Sequence, residues 1–142
     1  MIYKYFRNHN CSSLTSPLDI RLQGYAPKFE EDPNVVQTDL MVICDPENVE
    51  DDKYQGVPTL LVEVLSPSTK KRDLILKLNL YLKSGVKEYW IVDPENKKIT
   101  QYVFTEERGI EAVNDIQQDQ VLKSGQFEEL RLNLSEIFSK IE

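Results

Sequence analysis

The stretch LLVEVLSPSTKKRDLILKLNLY, residues 60–81, decides the fold because it joins an apolar strand to an amphipathic helix. Residues 60–65 are aliphatic and predict a buried strand, and Glu63 is the only polar residue within that run. An ionised carboxylate inside such a strand must be paired with a cation or bound to a metal. Glu63 is therefore the first candidate functional residue.

A helix is predicted directly after this strand, over residues 69–83. Leucine recurs along the segment at helical spacing, Ser68 or Thr69 is a suitable N-cap, and Gly85 is a suitable C′ residue. The helix is expected to pack on the sheet through its apolar face. That face contains Leu74, Leu78 and Tyr81.

Lys77 is the unusual residue of this helix. The stripe expected to face solvent contains Arg72, Asn79 and Lys83. At roughly 100° per residue, Lys77 lies about 140° from that stripe, among leucines, where a lysine that served only solubility would not be expected. Lys77 is therefore a candidate partner of Glu63. The alternatives are a side chain that lies along Tyr81 or an ion pair with Asp73.

The composition is that of a soluble globular protein of one domain, with 142 residues, 40% of them hydrophobic and 29% charged. No apolar run is long enough to cross a membrane, and the N-terminus lacks the apolar stretch of a signal peptide, so a cytoplasmic location is expected. Cys11 and Cys44 are isolated, and His9 is the only imidazole. The chain therefore has almost no residues from which a zinc site or a Cys/His catalytic pair could be built, and any metal would be held by oxygen.

The charge of the chain is unevenly distributed. A net charge of −7 argues against a surface built broadly for nucleic acid. Lys70, Lys71 and Arg72 nevertheless form, with Lys77, a basic cluster next to Glu63 in sequence. Lys70, Lys71 and Arg72 are candidate phosphate-binding residues. The alternative is that they only face solvent at the start of the helix.

Strand and turn signals along the chain predict one α/β domain with a mixed sheet. Further strands are predicted at residues 18–22, 35–44, 88–93 and 99–104, with a turn at 45–48. The order strand, helix, strand over 60–93 is typical of a crossover unit. The acidic segment up to Gly56 is predicted as a loop or a short helical turn. Beyond Gly109 the sequence predicts only short strands near residues 121 and 130–132, then an amphipathic turn at 134–141.

Asp39 adds a second carboxylate, on the strand predicted before that of Glu63. Two carboxylates from neighbouring strands and a lysine from the packed helix are the groups that a Mg²⁺-dependent phosphodiesterase needs. The carboxylates would hold the cation, and Lys77 would steady the attacking water or the developing negative charge. The simpler interpretations are a structural ion pair for Glu63 and a turn cap for Asp39.

Two segments carry a resemblance to a known family. They are TDLMVICDPENV, residues 38–49, and GVPTLLVEVLSPSTKKRDLILKLNLYLKSGVKEYWIVDP, residues 56–94. They resemble the putative restriction endonuclease family of the PD-(D/E)XK nuclease superfamily, formerly a bacterial domain of unknown function. The resemblance implies a restriction-endonuclease-like α/β core, in which a mixed four-stranded sheet is flanked by helices. A β-hairpin region is expected as an addition at the C-terminus.

The same resemblance implies roles for individual residues. Asp39 matches the aspartate of the PD half-motif, and Glu63 matches the acid of the second half-motif. These two would bind Mg²⁺ (or Mn²⁺) together with the backbone carbonyl of Val64. Leu65 stands where the superfamily usually has its lysine, and Lys77 matches the helical position to which the lysine of this family has moved.

The chain departs from the family pattern in two places. Thr38 replaces the usual proline before the aspartate, which should leave metal binding unchanged. Family members usually have a longer N-terminal helical region, so this region is expected to be short or missing in a single nuclease-like domain over residues 1–142.

The function predicted from these residues is a Mg²⁺-dependent DNA endonuclease of PD-(D/E)XK type. It would act as a homodimer so that both DNA strands are cut. The alternative is a catalytically inactive nuclease fold that serves as a binding or accessory module.

Overall fold

A computed structural model of the protein describes residues 5–6, 10–15, 19–21, 35–51 and 53–141. Its strands are β1 (Ser12–Thr15), β2 (Asp19–Arg21), β3 (Val35–Gln37), β4 (Leu40–Ile43), β5 (Val49–Glu50), β6 (Lys53–Gln55), β7 (Leu60–Val64), β8 (Glu88–Asp93), β9 (Lys98–Phe104), β10 (Ile110–Gln117), β11 (Val121–Lys123) and β12 (Arg131–Asn133). The α-helices whose bounds lie within the described residues are α1 (Lys71–Ser84) and α2 (Leu134–Ile141), and Pro46–Asn48 form a 3-10 turn. Within these ranges, no helix combines the length and the apolar character that crossing a membrane requires.

Six strands form the central sheet, in the order β1-β4-β7-β8-β9-β10. All neighbouring pairs are antiparallel except β7 and β8, which run parallel and are connected through α1. This is the crossover unit that the sequence predicts. The mixed α/β fold is therefore as expected, but the sheet has six strands rather than four, because β1 and β10 extend its two edges.

Alternation of side chains divides the central sheet into two faces, each covered by a helix. α1 covers the face that carries Leu61, and Tyr81 of α1 is fully buried against it. The opposite face carries Trp90 and is covered by Phe138 of α2. The chain between β7 and β8 therefore packs on one face only, and that face holds the candidate site.

Two smaller sheets lie beside the central one. The first has the order β3-β2-β6-β5, and in it only β2 and β6 run parallel. The second consists of β11 and β12, which pair antiparallel and form the β-structure expected near the C-terminus.

Four features of local structure differ from the prediction. The segment 134–141, predicted as an amphipathic turn, is the helix α2. The strand predicted over 35–44 is two strands, β3 and β4, which belong to different sheets and are separated by Thr38 and Asp39. The acidic segment forms β5 and β6 rather than a loop or helical turn. β10 is a long strand that the sequence does not predict. Most of its residues are exposed, so it lacks the apolar alternation on which such a prediction depends.

Of the two predicted ends of α1, only the C-terminal one agrees with the structure. Its N-cap is Lys70, which makes no side-chain capping bond, rather than Ser68 or Thr69. The hydroxyls of these residues bond within the preceding turn instead, where Thr69 Oγ1 accepts the N–H of Ser66 at 3.0 Å. At the other end, Gly85 has a φ of 91°, the left-handed conformation predicted for a residue that ends a helix.

Cys11 and Cys44, 33 residues apart in sequence, form a disulfide. Cys11 precedes β1 and Cys44 follows β4, so the antiparallel pairing of these two strands brings the sulfur atoms together. The bond ties an edge strand to its neighbour. Disulfides persist mainly in oxidising compartments, whereas the sequence leads us to expect a cytoplasmic location.

Glu88, at the start of β8, is a fully buried carboxylate that sequence reasoning overlooks. It accepts five hydrogen bonds from neutral donors. The donors are Trp90 Nε1 and Gln101 Nε2 on one oxygen, and Ser124 Oγ with the N–H groups of Gly125 and Gln126 on the other. Glu88 therefore joins β8 and β9 to the loop that follows β11.

Replacing Glu88 with Gln is expected to lower the free energy of unfolding by about 2–4 kcal/mol, because an amide nitrogen cannot accept the bonds that one carboxylate oxygen now receives. Urea denaturation followed by circular dichroism measures the change. The matched control is Glu95→Gln, in an exposed turn. This change should alter the free energy of unfolding by less than about 0.5 kcal/mol. Equal stability of the two variants would contradict the role of Glu88.

Candidate active site

Glu63 lies in β7 on the face covered by α1, and only 6% of the residue is exposed. Lys77 Nζ donates a hydrogen bond to Oε1 at 3.0 Å, and the Tyr81 hydroxyl donates to the same oxygen at 2.9 Å. The Tyr89 hydroxyl donates to Oε2 at 3.1 Å. One cation and two hydroxyls thus compensate the buried charge, and the expected ion pair between Glu63 and Lys77 is present.

Lys77 spans the distance between the buried carboxylate and solvent. It lies on the second turn of α1, and 33% of its side chain is exposed, against 8% for Glu63. The residues predicted to form the solvent stripe of the helix are exposed: Arg72, Asn79 and Lys83. An ammonium group has three donors, and one is directed to Glu63. Lys77 can therefore neutralise Glu63 and still contact a bound group.

Tyr81 and Tyr89 approach Glu63 from different elements, α1 and β8. Both are completely buried, and their rings meet edge to face with centroids 4.9 Å apart. Burial raises the pKa of each phenol above its ordinary value, and the negative charge of Glu63 raises it further. Both hydroxyls therefore stay protonated and serve as donors to the carboxylate.

Asp39 lies immediately before β4 and is exposed. Its Oδ2 accepts the backbone N–H of Val64 at 2.7 Å. The pairing of β4 with β7 ends at Leu40 and Val62, so the bond from Val64 is the contact that links Asp39 to β7. The structure thus places Asp39 beside the residue that follows Glu63.

The three basic residues at the start of α1 are all exposed. Lys70, Lys71 and Arg72 follow the loop after β7, at the end of the sheet where Glu63 and Asp39 lie. The N-terminus of a helix also carries partial positive charge from its backbone dipoles. These three cations share this end of the molecule with Asp39, Glu63 and Asp73.

The groups at this end of the sheet suit a hard divalent cation. Asp39, Glu63 and the carbonyl of Val64 offer oxygen ligands, and Mg²⁺ commonly binds through one or two carboxylates while water and substrate phosphates complete its shell. Among the residues that the structure describes, no group of three or more His, Cys, Asp or Glu side chains could hold a metal. A metal here would therefore rest on two carboxylates and the main chain.

Sequence reasoning missed the convergence of the two tyrosines on Glu63. It predicts Tyr81 as a packing residue of the helix and Tyr89 as a core residue, and both are buried. One signal was available, because Tyr81 lies four residues after Lys77 and so shares its side of α1. For Tyr89 the signal depends on the pairing of β7 with β8, which sequence spacing does not specify.

The fold is a mixed α/β fold, and comparison with known proteins shows its family. A family model for Uma2, described as "Putative restriction endonuclease", matches residues 2–135. The chain belongs to this family, as the resemblance in its sequence implies.

One solved structure similar to the chain is that of "a putative nuclease belonging to DUF820 from Anabaena variabilis ATCC 29413". The TM-score is 0.76, and the match covers 99% of this chain and 75% of that chain at 16% sequence identity. At this identity the likeness concerns the fold. No curated protein matches the chain.

Titration with base should separate the buried tyrosines from the others. Tyr54, Tyr81 and Tyr89 have a raised pKa, chiefly because they are buried. They should stay protonated in the folded protein above about pH 10, where exposed tyrosines ionise. Because these phenols ionise more readily in the unfolded chain, stability should fall as the pH rises above about 10.

Ultraviolet absorbance of tyrosinate, recorded together with circular dichroism, checks this expectation. The buried phenols should ionise only in the step in which the protein unfolds, and Tyr81→Phe should reduce that delayed amplitude by one tyrosine. Ionisation of every tyrosine near pH 10, with the native dichroism unchanged, would contradict the burial and the donor role of these hydroxyls.

Proposed function

We propose that the protein is a Mg²⁺-dependent DNA endonuclease of PD-(D/E)XK type, which hydrolyses phosphodiester bonds. The observation that carries the proposal is the buried Glu63, which has Lys77 Nζ at 3.0 Å from its carboxylate and is followed by Val64, whose N–H donates to Asp39 at 2.7 Å. Membership of a family described as "Putative restriction endonuclease" supports the same activity.

Asp39, Glu63 and the carbonyl of Val64 would hold the Mg²⁺ (or Mn²⁺). The N–H and C=O of a strand residue point to the same neighbouring strand. Because the N–H of Val64 donates to Asp39, its carbonyl is also directed to the side of β4. When bound, the cation supplies positive charge that polarises the phosphoryl group and lowers the pKa of a water molecule.

Lys77 would act on the reacting groups from α1. Its partly exposed ammonium group can donate to the attacking water, or to the phosphate oxygen on which negative charge develops, while it keeps its bond to Glu63. The helix fixes the distance between Lys77 and the carboxylate, because Tyr81 of the same helix bonds to the same oxygen.

DNA is the proposed substrate, and Lys70, Lys71 and Arg72 would contact its phosphates at the exposed start of α1. The catalytic unit would be a single nuclease-like domain over residues 1–142. A homodimer would present two sites to a duplex and allow both strands to be cut.

A second candidate function is that of a catalytically silent nuclease fold that serves as a binding or accessory module. One observation favours it: the Glu63 carboxylate is already satisfied by Lys77, Tyr81 and Tyr89. A carboxylate with these partners needs no metal to be stable in the core. The two candidates therefore differ in whether Glu63 binds a cation.

Replacing Glu63 with Gln should abolish Mg²⁺ binding and DNA cleavage while the fold is retained at lower stability, because an amide nitrogen cannot accept the bonds that one carboxylate oxygen now receives. The amide is nearly isosteric with the carboxylate but lacks the charge that holds the cation. Isothermal titration with MgCl₂ or MnCl₂ measures binding, nicking of supercoiled DNA measures cleavage, and circular dichroism verifies the fold. Glu95→Gln, an exposed glutamate outside the site, should behave like the unchanged protein.

The outcome separates the two candidates. Heat of metal binding that disappears only in Glu63→Gln supports the endonuclease. An unchanged protein that binds no cation at millimolar Mg²⁺ or Mn²⁺, even with DNA present, would leave the silent module as the correct account.

A further inference from the structure

The Glu63 carboxylate has an asymmetric set of partners. Oε1 accepts two hydrogen bonds, from Lys77 Nζ at 3.0 Å and from the Tyr81 hydroxyl at 2.9 Å. Oε2 accepts one, from the Tyr89 hydroxyl at 3.1 Å. An ionised carboxylate has about four acceptor positions, two on each oxygen. Oε1 is therefore the more heavily bonded oxygen, and Oε2 is the one with more room for a cation.

We infer that Tyr81 and Tyr89 are positioning residues that make Glu63 a ligand through one oxygen only, and thereby give the site a preference for Mg²⁺ over Ca²⁺. This inference rests on the proposed function, since it concerns the same metal site. Mg²⁺ needs near-octahedral geometry and few protein oxygens, whereas Ca²⁺ accepts more ligands and often binds both oxygens of a carboxylate. A glutamate whose Oε1 is held by Lys77 and Tyr81 presents Oε2 to a cation, which is the one-oxygen mode that suits Mg²⁺.

The rigidity of this arrangement comes from the packing of the two rings. Tyr81 and Tyr89 are 0% exposed, belong to different elements and touch edge to face with centroids 4.9 Å apart. Neither hydroxyl can turn toward bulk water without moving α1 or β8. The carboxylate is therefore held from two directions before any cation arrives, which is how groups outside the ligand set tune a metal site.

Tyr102 provides a matched control in the same aromatic cluster. Its ring stacks on that of Tyr89 with centroids 6.1 Å apart and planes inclined by 20°. Unlike Tyr81 and Tyr89, it is not among the donors to Glu63 in the described part of the chain. Removing its hydroxyl changes the core in a similar way but leaves the carboxylate with all its partners.

Isothermal titration with MgCl₂ and, separately, with CaCl₂ on the full chain tests the inference. In Tyr81→Phe and Tyr89→Phe, affinity for Mg²⁺ should fall by about 10-fold, in the range found when such supporting partners are removed. Affinity for Ca²⁺ should fall less or rise, so the ratio of the two affinities should decrease. Tyr102→Phe should keep the original ratio. A role confined to fold stability would lower both affinities together and leave the ratio unchanged.

A second measurement uses the unchanged protein and does not depend on the folding of a tyrosine variant. The infrared difference between the unchanged protein and Glu63→Gln, both without metal, identifies the carboxylate stretches of Glu63, which are then followed as Mg²⁺ is added to the unchanged protein. Their separation reports whether one oxygen or both contact the cation, and one is expected.

The possible results are distinct. If the ratio of Mg²⁺ affinity to Ca²⁺ affinity is the same in Tyr81→Phe, Tyr89→Phe and the unchanged protein, the positioning role is wrong but the proposed metal site is not. An infrared spectrum in which both oxygens of Glu63 contact the cation has the same meaning. An unchanged protein that binds no Mg²⁺ overturns the proposed function and this inference together.

Discussion

The burial of the Glu63 carboxylate is the constraint on which the rest of the site depends. Moving an isolated carboxylate from water into a protein interior costs several kcal/mol even after relaxation. Here the cost is offset by partners from two elements, Lys77 and Tyr81 of α1 and Tyr89 of β8. These bonds fix the helix and the next strand relative to β7, so the crossover unit and the candidate site are specified by the same contacts.

A comparison of the two buried glutamates shows why only one of them is a candidate for catalysis. Glu88 accepts five hydrogen bonds from neutral donors on the face covered by α2, and its partners tie together β8, β9 and a C-terminal loop. Glu63 has a cation among its partners, and the next residue, Val64, donates its N–H to the exposed Asp39. Burial alone therefore does not distinguish a functional carboxylate, whereas a partly exposed lysine and a neighbouring exposed carboxylate do.

Much of the crossover unit could be predicted from sequence because its signals are local. The apolar run at 60–65, the helical spacing of leucines and the left-handed Gly85 each depend on neighbouring residues, and they led to β7, α1 and the pairing of Glu63 with Lys77. The family resemblance supplied the role of Asp39. The break between β3 and β4 includes this residue, at a point where the sequence predicts one continuous strand.

The remaining features depend on contacts between distant segments. The Cys11–Cys44 bond follows from the pairing of β1 with β4, and the Tyr89 bond to Glu63 follows from the parallel pairing of β7 with β8. β10 carries too few buried residues for its sequence to show a strand period. Glu88 stands in an apolar run much as Glu63 does, so the same argument applied to it would have predicted a buried carboxylate, although not its neutral partners.

The most direct test of the central claim is an anomalous difference map from crystals of the protein soaked in Mn²⁺. If Glu63 and Asp39 form a cation site, the map should contain a peak between their carboxylates, with the Val64 carbonyl beside it. A map without a peak there, in which Glu63 keeps only Lys77, Tyr81 and Tyr89 as partners at millimolar Mn²⁺, would contradict the account.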